Sequence, residues 1–211
     1  MRGKKVKILA VSDVVDYRLY SDKIPEHLKD VQVILGCGDL PLEYLEFLVS
    51  MMNVPLLYVP GNHDPVFDDK NPSSRAEGCD FLDLKVMQVK GINVAGLGGS
   101  IRYQPHRPNQ FTQVQMFFRT IRLVPIIARH ILKTTRPLDI IIAHSPPFGI
   151  NDDTDPAHIG FSVYSLIIKV FKPRYFLHGH VTVYKGNLDK PETQIGQTTV
   201  INVSPYKVIN I

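Results

Sequence analysis

Residues 54–64 read Val-Pro-Leu-Leu-Tyr-Val-Pro-Gly-Asn-His-Asp. A short apolar run, Val54 to Val59, breaks at Gly61 and delivers Asn62, His63 and Asp64 just beyond it. The same arrangement recurs along the chain. Val31–Leu35 leads to Gly38-Asp39, Leu138–Ala143 leads to His144, Arg174–Leu177 leads to Gly179-His180, and Val6–Val11 leads to Asp13. Apolar runs of this length, bounded by turn residues, read as buried strands. In α/β sheets, sites collect outside the carboxyl ends of the strands. Segments far apart in sequence therefore deliver oxygen and nitrogen donors to one edge. Asp39, Asn62, His144 and His180 supply carboxylate, amide oxygen and imidazole, a set that suits a divalent Mn, Fe or Zn ion. Each piece alone has a bland reading: a Gly-Asp turn, an Asn in a tight turn, a packed core histidine. The bland reading must be invoked four times over to explain the set.

The 211 residues suit one domain, residues 1–211, and 44% hydrophobic composition is enough for a packed core. A formal charge of +4 is a mild basic bias without a dense Lys/Arg stripe. Two cysteines, Cys37 and Cys79, are too few for a disulfide framework. Cys37, at a strand end, reads as a small buried hydrophobe. The basic start is followed by an apolar stretch that Lys7 interrupts, too short and too charged for a secretory signal. No run approaches membrane-spanning length, so a cytoplasmic protein with no membrane partner is expected.

Strands and helices alternate in the first third. Residues 21–28 are a short helix candidate. Pro41 opens a stronger one, with Leu42, Leu45, Leu48, Val49 and Met52 at helical spacing. Two βα units make a parallel βαβαβ start. Residues 65–80 read as a loop, residues 86–96 as a hairpin around Gly91, and residues 102–109 as another loop. Helical pattern runs from Gln110 toward Thr134, with an interruption expected near Pro125. A helix is expected over 161–171. Strands near Phe176, Val183, Val200 and Val208 read as an antiparallel meander, making two sheets.

In this order, Gly38-Asp39, Gly61-Asn62-His63-Asp64, a lone His144 and Gly179-His180 resemble the pattern of the calcineurin-like metallophosphoesterases. That resemblance implies an α/β fold, a two-sheet mixed β sandwich flanked by helices. It also implies a hydrolase that cleaves phosphate esters with metal-activated water and takes a small phosphorylated substrate. By the same resemblance Asp39 bridges two metal positions, and Asn62, His144 and His180 complete one of them. Asp13 belongs to the other. His63 stands near the leaving group as general acid, with Asp64 orienting it. The stretch from Ala143 to Pro147 also resembles an element of one phosphodiesterase branch.

Two positions depart from the pattern. The family histidine after Asp13 is Val15 here, and the final one is Thr182. Both losses fall on the Asp13 metal, so one firmly held ion and one weak or empty position are expected. Asp16 and His178 are possible substitutes, though a solvent-facing turn and a strand-end histidine explain them more simply. A phosphodiesterase is the leading expectation. The rival is a degenerate member that binds a ligand or partner without turnover. A nucleic-acid enzyme is a third reading, resting on Arg102, Tyr103, His106 and Arg107 in one loop, of which Arg102, His106 and Arg107 are the candidate substrate contacts. Asp152, Asp153 and Asp155 read as a solvated acidic loop or a further cation site.

Overall fold

The structure, a computed structural model, describes residues 5–181 and 192–211. One sheet contains β1 (Lys7–Val11), β2 (Val33–Gly36), β3 (Leu56–Tyr58), β4 (Asp80–Phe81) and β13 (Tyr206–Asn210). Its order is β13-β1-β2-β3-β4, parallel except for the edge strand β13. The other contains β5 (Val86–Val89), β6 (Ile92–Leu97), β9 (Ile140–Ala143), β10 (Tyr175–His178), β11 (Glu192–Ile195) and β12 (Thr198–Asn202). Its order is β11-β12-β10-β9-β6-β5, parallel in the middle and antiparallel at both edges. A small parallel pair, β7 (Ser100–Ile101) and β8 (Gln110–Phe111), lies beside them. The helices are α1 (Leu42–Met52), α2 (Gln113–Thr134) and α3 (Ser162–Phe171).

Alternation along the strands builds the layers. On β1, Ile8 and Ala10 face the other sheet, where Val94, Ile140, Ile142, Leu177 and Ile201 meet them. Leu9 and Val11 face the opposite way, onto Tyr44, Leu45 and Leu48 of α1. On β9, Ile141 and Ala143 face Met116, Leu123 and Ile127 of α2 and Tyr164 and Ile167 of α3. Strands covered on both faces have no polar side, which is why their sequences read as unbroken apolar runs. The layers are helix, sheet, sheet, helix: the expected sandwich flanked by helices. Both cysteines are free; Cys37 is buried between the sheets, and burial drives its thiol pKa up.

Several local expectations change. Only Glu26–Leu28 of the first helix candidate is helical, as one 3-10 turn, because Pro25 biases Ile24 away from helix and cannot donate inside one. α2 runs unbroken through Pro125. That proline is exposed, so the Ile121 carbonyl it leaves unpaired, on another exposed residue, is open to water. The C-terminal part is not a meander: β12 lies parallel to β10, and only β11 and β13 pair antiparallel. A parallel partner needs a long crossover, and residues 179–197 lie between the two strands in sequence. The strand expected near Val183 lies outside the described residues.

Candidate metal centre

Each donor sits in the loop that leaves a strand: Asp13 after β1, Asp39 after β2, Asn62 and His63 after β3, His144 after β9, His180 after β10. Loop-to-loop bonds hold these ends together, the first across the two sheets and the others within each. The His180 N–H donates to Asp13 Oδ1 at 2.8 Å, and the Gly179 N–H donates to the His144 carbonyl at 3.0 Å. The His63 N–H donates to Asp39 Oδ1 at 2.8 Å. Asp13, Asp39 and His180 hold left-handed φ values of 63°, 55° and 67°. Such a conformation costs a residue with a Cβ about 1–3 kcal/mol and persists where the surroundings fix it. The neighbouring glycines answer a different need. A Cβ at Gly61 would strike the Asp39 carboxylate, and one at Gly179 would strike that of Asp13.

His144 is fully buried, and its Nδ1 lies 2.9 Å from the Cys37 carbonyl. A carbonyl only accepts, so Nδ1 carries the hydrogen and Nε2 of the neutral ring is a bare lone pair. That lone pair faces Asn62 Oδ1 at 3.1 Å and Asp39 Oδ2 at 3.3 Å. Three acceptors therefore converge with no donor among them. A proton or a cation must sit there. Burial opposes charge on His144, but Asp39 outweighs it and raises the ring to about 9, the value for a proton filling the gap. Burial alone would raise Asp39 too; the His144 ring outweighs it and holds that carboxyl at about 2. His180 is different. Its Nε2 lies 2.7 Å from the Ala157 carbonyl, so Nδ1 is bare, and burial lowers its pKa to about 3. One ligand atom from each of Asp39, His144 and His180 lies within 4.8 Å of the others. The donor set fits a divalent cation: a carboxylate, an amide oxygen and two neutral imidazoles, each with its lone pair free and its other nitrogen tied to a carbonyl.

The second position is thinner. Asp13 Oδ2 is sealed from solvent and has no hydrogen-bond partner among the described residues. Val15 packs into the core beneath α1, and Val14 lines the cleft instead. Asp16 clasps the Arg18 guanidinium at 2.5 Å. His178 is fully buried, its Nδ1 is 3.0 Å from the Gly179 carbonyl, and burial lowers its pKa to about 4. Thr182 lies outside the described residues. Among the described residues, no other trio of histidine, cysteine or acidic side chains gathers at cation-binding distance.

His63 is exposed and lines a cleft of about 500 Å³ together with Asp13, Asp39, Asn62, Tyr103 and His180. Asp64 does not orient it. Asp64 Oδ2 accepts the N–H groups of Gly61 at 2.7 Å and Asp39 at 2.9 Å, stitching two ligand-bearing loops together. Two strongly placed backbone donors capture the carboxylate, and the His63 ring has no hydrogen bond to it. The loop after β7 also differs from expectation. Gln110 Oε1 accepts the N–H groups of Tyr103 and Gln104 at 3.3 and 3.1 Å. That turn brings Tyr103 into the cleft and Arg107 to a smaller adjoining one beside His63. Arg102 donates to the Gln110 carbonyl at 3.2 Å, His106 is exposed, and neither lines the cleft.

Two residues outside the expected set belong to the site. The Tyr103 hydroxyl accepts from Asn62 Nδ2 at 3.2 Å, which turns the amide oxygen toward His144. His158 lines the cleft, its ring 5.0 Å from that of His180, and its Nδ1 is 2.6 Å from Asp155 Oδ2. An Asp-x-x-His spacing was the signal for that pair. The rest of the acidic loop serves itself. Asp152 Oδ2 accepts the N–H groups of Gly149 and Gly160, both at 3.0 Å, and Asp153 accepts that of Thr154 at 2.6 Å.

Known proteins resemble this chain. A protein of Methanocaldococcus jannaschii, named uncharacterized protein MJ1162, is 27% identical over 220 residues, covering 96% of this chain and 89% of that one. UPF0046 protein K07C11.7 of Caenorhabditis elegans is 25% identical over 223 residues, covering 94% and 69%. The crystal structure of TT1561 of Thermus thermophilus superposes with a TM-score of 0.59 at 17% identity, covering 95% and 89%, a likeness of fold. The family profile described as calcineurin-like phosphoesterase matches residues 6–184, a span that opens one residue before β1 and closes beyond His180. With every donor-bearing strand end inside that match, the chain belongs to the calcineurin-like phosphoesterases.

Proposed function

We propose that the chain is a phosphodiesterase that uses one firmly held divalent cation. The observation that carries this is the bare His144 Nε2 facing two further acceptors, Asn62 Oδ1 and Asp39 Oδ2. Asp39, Asn62, His144 and His180 would hold that ion; Asp13, with Asp39, would hold a second more weakly. A bound cation polarises a phosphoryl oxygen and lowers the pKa of its water. The chain's own residues supply the rest. His63, free at the cleft wall, would give a ring proton to the departing alkoxide as water adds to phosphorus and the ester P–O bond breaks. Asp64 would keep the Asp39 and Asn62 loops in register. Tyr103 would hold the Asn62 amide oxygen toward the ion. We also propose that the whole chain is one domain, supported by β13, which joins β1 in one sheet.

The reading is tested on bis-p-nitrophenyl phosphate with added Mn²⁺. Asn62→Ala should lower turnover through lost metal, and on an alkyl phosphodiester, whose alkoxide needs a proton, His63→Ala should lower it by about 10²- to 10⁴-fold, the usual contribution of a general acid. Equal rates for both variants and the unaltered protein would sink the proposal. A second reading, a ligand-binding member without turnover, draws on Val15, which leaves Asp13 without an imidazole beside it. Full metal occupancy combined with no hydrolysis would favour it. The nucleic-acid reading loses Arg102 and His106, which lie away from the cleft.

A further inference from the structure

The helices α2 and α3 carry most of the large exposed hydrophobic residues of the described chain. Of thirteen large hydrophobic residues that are exposed, eight lie on these two helices. On α2, Val114, Phe118, Ile121, Pro125, Ala128 and Leu132 are spaced four, three, four, three and four residues apart, and all are exposed. That spacing makes one straight stripe, on the side away from the buried Met116, Thr120, Leu123 and Ile127. Phe118 is 57% exposed and Leu132 80%. α3 packs beside α2 and adds Leu166 and Val170, 48% and 57% exposed. Monomeric proteins seldom leave a contiguous apolar patch of this kind uncovered.

Charge identifies the occupant. Neither helix contains an acidic residue. Arg122, Arg129 and Lys133 flank the stripe on α2, and Lys169 lies beside Val170 on α3, all exposed. Their cationic heads form no hydrogen bond or ion pair among the described residues, whereas Arg119, nearer the core, is paired with Asp83 at 2.6 Å. Phe, Ile and Leu beside unpaired Arg and Lys, with acid excluded, is the make-up of a helix that lies flat on anionic lipid. A second copy fits less well. Two-fold pairing of the stripes, centred between Val114 and Leu132, sets Arg122 against its own symmetry mate with no acid to offset it. No described helix is long and apolar enough to cross a membrane, so the contact would be peripheral.

We infer that α2 and α3 form a docking face for an anionic lipid surface. This stands apart from the metal centre. α2 follows the Tyr103-bearing loop through the two-residue strand β8, so docking would hold that loop near the lipid.

The test is co-sedimentation of the full chain with vesicles of equal parts phosphatidylglycerol and phosphatidylcholine, and with pure phosphatidylcholine. The chain should pellet with the first and stay in solution with the second. Phe118→Asp and Phe118→Ser should abolish pelleting without changing the melting temperature, because that ring is largely in solvent. Arg122→Gln and Arg129→Gln should each weaken it about fivefold, the factor for roughly 1 kcal/mol per cation near an anionic surface. Failure to pellet with anionic vesicles, equal binding to neutral ones, or unchanged binding by both Phe118 variants would overturn the inference. So would light scattering that shows a dimer dispersed by Phe118→Asp, which would assign the face to a second copy.

Discussion

Asn62 divides its amide between two duties. Oδ1 lies 3.1 Å from His144 Nε2, while Nδ2 donates to the Tyr103 hydroxyl at 3.2 Å. Without the phenol, the amide loses the contact that fixes which end faces the histidine. Tyr103→Phe should therefore weaken Mn²⁺ binding by about 10- to 100-fold, the usual cost of removing a group that orients a ligand. Titration calorimetry reads it directly, and an unchanged affinity would remove Tyr103 from the site. At this scale the sequence named donor types well. Asp39, Asn62, His144 and His180 stand out because carboxylate, amide and imidazole beyond strand ends are recognisable residue by residue. It misjudged partners. Asp64 was expected beneath His63, but backbone N–H groups of its own loop and of the Asp39 loop hold it. Such donors carry no signature in the sequence, because every residue but proline has one.

At the scale of elements, the three α-helices among the described residues end in a left-handed residue that is not glycine: Asn53, Thr135 and Lys172, with φ of 50°, 55° and 48°. Thr135 is the most strained of them, since its branched Cβ crowds the backbone there. Thr135→Gly should raise stability by about 1 kcal/mol, the left-handed penalty less the entropy glycine adds to the unfolded chain. A denaturant midpoint measures it, and a loss of stability would show that the bond from Thr135 Oγ1 to the Thr134 carbonyl, 2.7 Å, outweighs the strain. Element types were legible wherever a period was strong, as in α1 and the hairpin of β5 and β6. Pairing direction was not. Whether β12 lies parallel or antiparallel to β10 is decided by the path between them, and a strand's own residues look alike in either case. Pro125 misled because its cost depends on which face of the helix it occupies, and here that face is wet.

Across the whole molecule, the centre joins the two sheets at their carboxyl edges. Asp13, Asp39 and Asn62 come from the sheet with β1, β2 and β3; His144 and His180 come from the sheet with β9 and β10. A cation held there would bind only the folded chain, since unfolding disperses ligands far apart in sequence. Mn²⁺ at a hundred times its dissociation constant should stabilise the fold by about 2.7 kcal/mol, seen as a rise in melting temperature that a chelator reverses. His144→Ala should abolish the rise. A melting temperature indifferent to Mn²⁺ and chelator alike would argue against a bound ion.

The sequence by itself determined the buried strands and the kinds of donor at five strand ends, because period and side-chain chemistry are local properties; the two-sheet sandwich was implied by the family resemblance. Only the tertiary structure decided which loop residues reach the cleft. Tyr103 and His158 enter it and Arg102 does not, and three acceptors face one another, two of them, His144 and Asn62, 82 residues apart. Those choices depend on how loops from different strands seat against each other, and no stretch of one loop carries that information.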